Sequence, residues 1–128
     1  MALRHRILIC EDDPSLSKLV RKALVAHGYD VEVADHGLDG LIKIDLATVK
    51  PDLLIVDVMM PELDGISLVR ALKTQGSTRR IPVIFVTAKT DSKTIAEGIA
   101  VGAKFYITKP FTIDDLLDKV RRAIATAG

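Results

Sequence analysis

The chain has 128 residues, a length that suits one domain large enough for a real core. Hydrophobic residues make up 48% and charged residues 27%, the balance of a soluble globular protein, which argues against disorder. A formal charge of +1 provides no whole-molecule field to attract nucleic acid or anionic lipid, so direct binding to either is not expected.

No apolar run approaches membrane-spanning length, and residues 1–6 lead straight into a strand pattern, which leaves no room for a signal peptide. The single cysteine, Cys10, excludes an internal disulfide and fits a cytoplasmic location. It lies inside an apolar run and reads as a small buried hydrophobe.

In chain order, Ile7-Leu-Ile-Cys10 reads as a short buried strand that ends in Glu11-Asp12-Asp13. Asp13-Pro14 has the form of a helix N-cap followed by proline at the first helical position. Leu16, Leu19, Val20, Ala23 and Leu24 recur at helical spacing, and Gly28 stops that helix. Val31-Glu-Val-Ala34 alternates like a strand nearer a sheet edge. A second helix is expected over residues 37–49, with Leu38, Leu41, Ile42, Leu46 and Val49 on its inward face. Residues 53–57, Leu-Leu-Ile-Val-Asp, form an apolar run closed by a carboxylate, followed by a loop with Pro61 and an Asp64-Gly65 turn.

A third helix carries Ile66, Val69 and Leu72 inward and fades at Gln75-Gly76-Ser77. Residues 81–87 read as a fourth strand, with Pro82 tolerable only near its start. A fourth helix over residues 91–101 has a thin stripe of Ile95 and Ile99, and Gly102 caps it. Residues 104–108 are the last strand. Lys109-Pro110-Phe111 makes a sharp corner, and Thr112 caps a final helix through Leu116, Leu117, Val120 and Ile124, with Arg121 and Arg122 suited to its C-terminal dipole. Five strands alternating with five helices imply parallel pairing, right-handed crossovers and a doubly wound α/β domain over residues 1–128, with no internal repeat or linker.

All strand ends of a parallel sheet lie on one edge, where such sheets bind ligands. Glu11 and Asp12, Asp57, Thr87 and Lys109 stand at or just past four of those ends. Each has an ordinary structural reading, as a cap, a strand residue or a turn; their convergence at one edge favours chemistry, with Asp13 left to capping. Three neighbouring carboxylates repel unless one is protonated or a cation compensates. An all-oxygen donor set suits Mg²⁺ better than a closed Ca²⁺ cage. No histidine or cysteine cluster offers a zinc site, and His5, His27 and His36 read as solvent-facing. A carboxylate, a hard cation, a lysine and a hydroxyl together suit phosphoryl transfer to the carboxylate.

These residues carry a family resemblance along the chain from Ile7 to about Ala125. Glu11-Asp12, the stretch from Asp57 through Pro61 to Asp64-Gly65, Val86-Thr87-Ala88 and Tyr106-Ile-Thr-Lys109-Pro110-Phe111 resemble the motifs of response-regulator receiver domains of two-component signalling. The resemblance implies the flavodoxin-like fold with strand order 2-1-3-4-5, which sets the first and third strands side by side. It implies that Asp57 accepts a phosphoryl group from a phosphohistidine on a histidine kinase or a histidine phosphotransfer protein. Glu11 (through water), Asp12, Asp57 and the Met59 carbonyl would hold Mg²⁺. Thr87 and Lys109 would bind phosphoryl oxygens, Tyr106 would be the switch aromatic, and Lys109–Pro110 would be cis. Glu11 stands where the family often has aspartate. Lys104 and Phe105 stand where winged-helix transcription-factor receivers carry acids that join a dimer face, and Lys104 breaks that pattern.

The weak stripe of the fourth helix marks it as the least firmly held element, suited to remodel the face around Lys104–Tyr106 for a downstream protein partner. Apolar Met59 should restrict attacking water and make self-dephosphorylation slow. A haloacid-dehalogenase-type phosphatase would need an aspartate where Met59 stands. A flavodoxin-like cofactor binder would want a Gly- or Ser/Thr-rich loop where Glu11-Asp12-Asp13-Pro14 stands. A degenerate receiver serving only as a scaffold would not need the intact constellation.

Overall fold

A computed structural model describes residues 4–126, so the expectations for the first three and last two residues lie outside it. Among the described residues the elements run β1 (Arg6–Cys10), α1 (Pro14–Ala26), β2 (Asp30–Ala34), α2 (Gly37–Leu46), β3 (Leu53–Val56), α3 (Gly65–Lys73), β4 (Val83–Thr87), α4 (Ser92–Ala100), β5 (Phe105–Thr108) and α5 (Ile113–Ala125). The five strands form one parallel sheet in the order β2-β1-β3-β4-β5. This is the expected doubly wound α/β fold. Central β1 and β3 pair Ile7 with Leu53 through Cys10 with Val56, which sets the two acidic strand ends side by side.

Strand side chains alternate between faces, so each apolar strand feeds two cores. Leu8, Cys10, Leu54, Val56, Val83 and Phe85 pack under Ile44 of α2 and Ile66, Leu68, Val69 and Leu72 of α3. Ile7, Ile9, Leu53, Ile55, Ile84 and Val86 pack under Val20 and Leu24 of α1 and Leu116, Leu117, Val120 and Ala123 of α5. The expected caps form. Asp13 accepts from the amides of Ser15 and Leu16, and Thr112 accepts from Asp115. Gly28 and Gly102 stop their helices at φ of 92° and 105°.

Helix α2 differs most from expectation. It ends at Leu46, not Val49, and its inward face is Gly37, Gly40 and Ile44 with partly buried Leu41. Leu38, Ile42, Leu46 and Val49 are exposed, Leu46 at 78%. The cause is a close approach: a Cβ on Gly40 would sit 2.6 Å from Cys10 Sγ, so the glycine face, not the leucine face, meets the sheet. The helix ends where Ala47 turns extended and Lys50 Nζ donates to the Ile44 and Asp45 carbonyls. Leu19 of α1 is likewise exposed.

Other departures are small. Strand β4 begins at Val83, after Pro82, which has no N–H for the ladder, although its carbonyl accepts from Leu54. His36 does not face solvent freely: it is half-buried, and its Nδ1 caps α2 by accepting from the Asp39 amide at 3.1 Å. Of the α4 stripe, Ile95 is half-buried but Ile99 is 61% exposed.

Candidate functional site

The sheet delivers the expected residues to one place. Asp57 follows β3, its amide donating to the Cys10 carbonyl, and Glu11 follows β1, its amide donating to Ala34. Both acids are buried, at 6% and 5% exposure, whereas Asp12 is exposed. One carboxylate oxygen from each of Glu11, Asp12 and Asp57 lies within 4.8 Å of the others. Lys109, past β5, reaches across the strand ends, and its Nζ donates to Glu11 Oε1 and to Asp57 Oδ2, both at 2.8 Å. The Lys109–Pro110 bond is cis, as expected.

The remaining carboxylate oxygens are held from nearby backbone. Asp57 Oδ1 accepts from the Met59 amide at 3.0 Å, and Glu11 Oε2 from the Asp13 amide at 3.2 Å. The loop after Asp57 folds back so tightly that a Cβ on Gly65 would lie 2.2 Å from the Asp57 carbonyl oxygen. Only glycine fits there, and the Gly65 amide donates to the Val58 carbonyl at 2.9 Å.

One ammonium among three carboxylates leaves a deficit of positive charge, and Glu11 carries it. The Glu11 carboxyl is raised to about 7: burial is the largest cause and the charge of Asp57 adds to it, while the hydrogen bond from Lys109 opposes both. Burial alone would lower the Lys109 ammonium, but its hydrogen bonds to Asp57 and Glu11 hold it above the ordinary lysine range. Oxygen-only donors with surplus negative charge fit a hard divalent cation, and Mg²⁺ agrees with so few protein carboxylates. Cys10 lies beneath the site as a structural residue, its thiol pushed up to about 12 by burial.

Thr87 ends β4 with its side chain fully buried. Its Oγ1 accepts from the Lys89 amide at 3.3 Å, while the Lys89 carbonyl accepts from the Tyr106 hydroxyl at 2.7 Å. One peptide segment therefore joins the strand-end threonine to the aromatic on β5. The residue types carry no mark of this link, because it runs through the main-chain groups of Lys89. Tyr106 is half-buried and packs at a tilt against Phe85, with 6.1 Å between ring centroids. Lys104 is exposed, and Phe105 is covered by Lys119 and Arg122 of α5, at 5.8 and 5.2 Å from its ring centre.

This fold, with an acidic cluster and a lysine at the ends of β1, β3 and β5, defines a class of signalling switch. The chain belongs to the response regulator receiver domain family, which matches residues 7–121. Receiver domains of this family interact with histidine kinases and bind Mg²⁺ in their acidic pocket.

The chain is 44% identical over 115 residues to the transcriptional regulatory protein RprY of Bacteroides fragilis, an alignment covering 90% of this chain and 47% of that protein. It spans about half the length of the curated relatives it matches. Among solved structures it resembles the Vibrio cholerae chemotaxis protein CheY4, with a TM-score of 0.87, 32% identity and coverage of 94% and 99% of the two chains. It also resembles the receiver domain of the sensor histidine kinase PA1611 of Pseudomonas aeruginosa, with a TM-score of 0.86, 27% identity and coverage of 97% and 100%. That structure has a magnesium ion coordinated in its active-site cleft. The expectation of no nucleic-acid contact gains no support from these relatives, since RprY is named for transcriptional regulation. Among the described residues no helix is long and apolar enough to cross a membrane.

Proposed function

We propose that residues 1–128 are a single receiver domain that accepts a phosphoryl group on Asp57 from a phosphohistidine donor. The supporting observation is the pairing of buried Asp57 with Lys109 at 2.8 Å inside a cluster of three acids. A carboxylate oxygen of Asp57 forms the new P–O bond. The P–N bond to the donor imidazole breaks, and the imidazole keeps the electron pair and takes up a proton. Lys109 moves its ammonium from the carboxylate to a phosphoryl oxygen, and the Thr87 hydroxyl turns to donate to another, releasing the Lys89 amide. Glu11, Asp12, Asp57 and the Met59 carbonyl would hold Mg²⁺, which when bound supplies the positive charge that the site lacks.

Tyr106 responds through the Lys89 segment, and α4, β5 and α5 present the altered face, around Lys104–Tyr106, to a downstream protein. Met59, exposed and two residues beyond Asp57 with its amide on Asp57 Oδ1, limits attacking water, so the acyl phosphate hydrolyses slowly. The domain works as a switch in the cytoplasm rather than as a turnover enzyme.

The test is intact mass after incubation with a small-molecule phosphodonor, with and without Mg²⁺. Wild type should gain one phosphoryl group only with the metal, and Asp57→Asn should gain none. Gain without metal, or gain retained by the variant, overturns the assignment.

A further inference from the structure

Helix α4 meets the sheet through a glycine. Gly98 is its one buried residue. A Cβ at this position would lie 3.1 Å from Tyr106 Cδ2, 3.2 Å from Tyr106 Cε2 and 3.2 Å from Phe85 Cδ2. Glycine within a helix is otherwise costly relative to alanine, and these two rings supply the reason for it here. The ring neighbours differ in freedom. Phe85 is fully buried in β4 and cannot retreat, whereas Tyr106 is half-buried and its hydroxyl is tied to the Lys89 carbonyl.

We propose that Gly98 is a positioning residue for the Tyr106 switch. The missing side chain is a slot in α4 that lets the Tyr106 ring lie against the helix beside Phe85 with its hydroxyl on Lys89. This rests on the reading of Tyr106 as the switch aromatic and adds the residue on the opposite wall. With the slot open, ring and helix share one contact surface, so neither moves without the other. A methyl group in the slot presses on the less constrained neighbour, the Tyr106 ring, and strains its bond to Lys89. The helix's link through Lys89 to Thr87 is then weakened.

The experiment compares Gly98→Ala with wild type, and repeats the substitution in a Tyr106→Ala background. In an unobstructed helix Gly→Ala raises stability. Here it lowers the melting temperature in wild type and raises it in Tyr106→Ala, where Phe85 can yield into the vacated space. A rise in both backgrounds, or an equal fall in both, overturns the proposal. If Gly98→Ala alone does not fold, the pair in the Tyr106→Ala background decides by the same sign.

Fluorotyrosine labelling reads the ring directly, since the chain has only two tyrosines, Tyr29 and Tyr106. The ¹⁹F signal of Tyr106, assigned with Tyr106→Phe, should move in Gly98→Ala while that of Tyr29 stays. Its response to phosphodonor should fall at least two-fold. An unmoved Tyr106 signal, or an undiminished response, in the folded variant overturns the slot. Phosphoryl mass gain is read on the same samples. Its absence in wild type would defeat the Asp57 reading, and the sign reversal and ring signal would still judge Gly98.

Discussion

Glu11 is the residue most at odds with its surroundings. It is buried beside another carboxylate and shares one lysine with it, and the fold raises its carboxyl from 4.5 to about 7. The folded chain therefore holds this proton more tightly than the unfolded chain does. The stability contribution is fully present below about pH 4.5 and is lost as pH rises through about 7. Glutamine cannot ionise and keeps an acceptor for Lys109. In chelator, Glu11→Gln should gain stability on wild type as pH rises from 4.5 to 8, by about 3 kcal/mol at most. Thermal melts across that range check this, and Mg²⁺ should shrink the difference. A difference that stays flat with pH would show that Glu11 does not carry the charge deficit.

Among the elements, α4 and α5 are opposites. Helix α5 buries Leu116, Leu117, Val120 and Ala123 against the sheet, whereas α4 buries Gly98 and leaves Ile99 in solvent. Apolar burial of about 25 cal/mol per Å² scales with that contrast, so α4 should open locally at a lower free energy. In native-state hydrogen exchange, α4 amides should exchange at least about ten-fold faster than the central amides of α5, a gap of roughly 1.4 kcal/mol or more. Equal protection of the two helices would remove the basis for treating α4 as the movable part. The thin stripe of α4 was legible in the residues; that a glycine holds it to the sheet was not, because the reason lies in the rings of β4 and β5.

For the whole molecule, the open question is what the face built by α4, β5 and α5 meets. Phe105 is already covered by Lys119 and Arg122 of its own chain, and Arg122 lies 3.5 Å from Asp118. Lys104 adds an exposed cation where an acid-based dimer would need the opposite charge. The chain should stay monomeric in light scattering after size exclusion, before and after phosphoryl gain. A doubling of mass on phosphorylation would contradict this and restore that face as a dimer surface.

Much of this protein was determined by sequence alone. Apolar strand runs alternating with helical periods set the parallel sheet, because a helix must intervene between parallel strands. The same pattern brought Glu11, Asp12, Asp57, Thr87 and Lys109 to one edge, because every strand of such a sheet points the same way. Three things waited for the tertiary structure. Helix α2 turned its glycines inward and left Leu38, Ile42 and Leu46 exposed, since backbone approach to Cys10 outweighed the count of apolar side chains. Lys109 took both Glu11 and Asp57 as partners, a choice set by distances between strand ends 98 and 52 residues apart in sequence. The Lys89 link from Thr87 to Tyr106 runs through amide and carbonyl groups that every residue has. Periodicity and residue type are local and survive in the sequence; which surfaces touch depends on close packing between distant segments, and only the folded chain decides it.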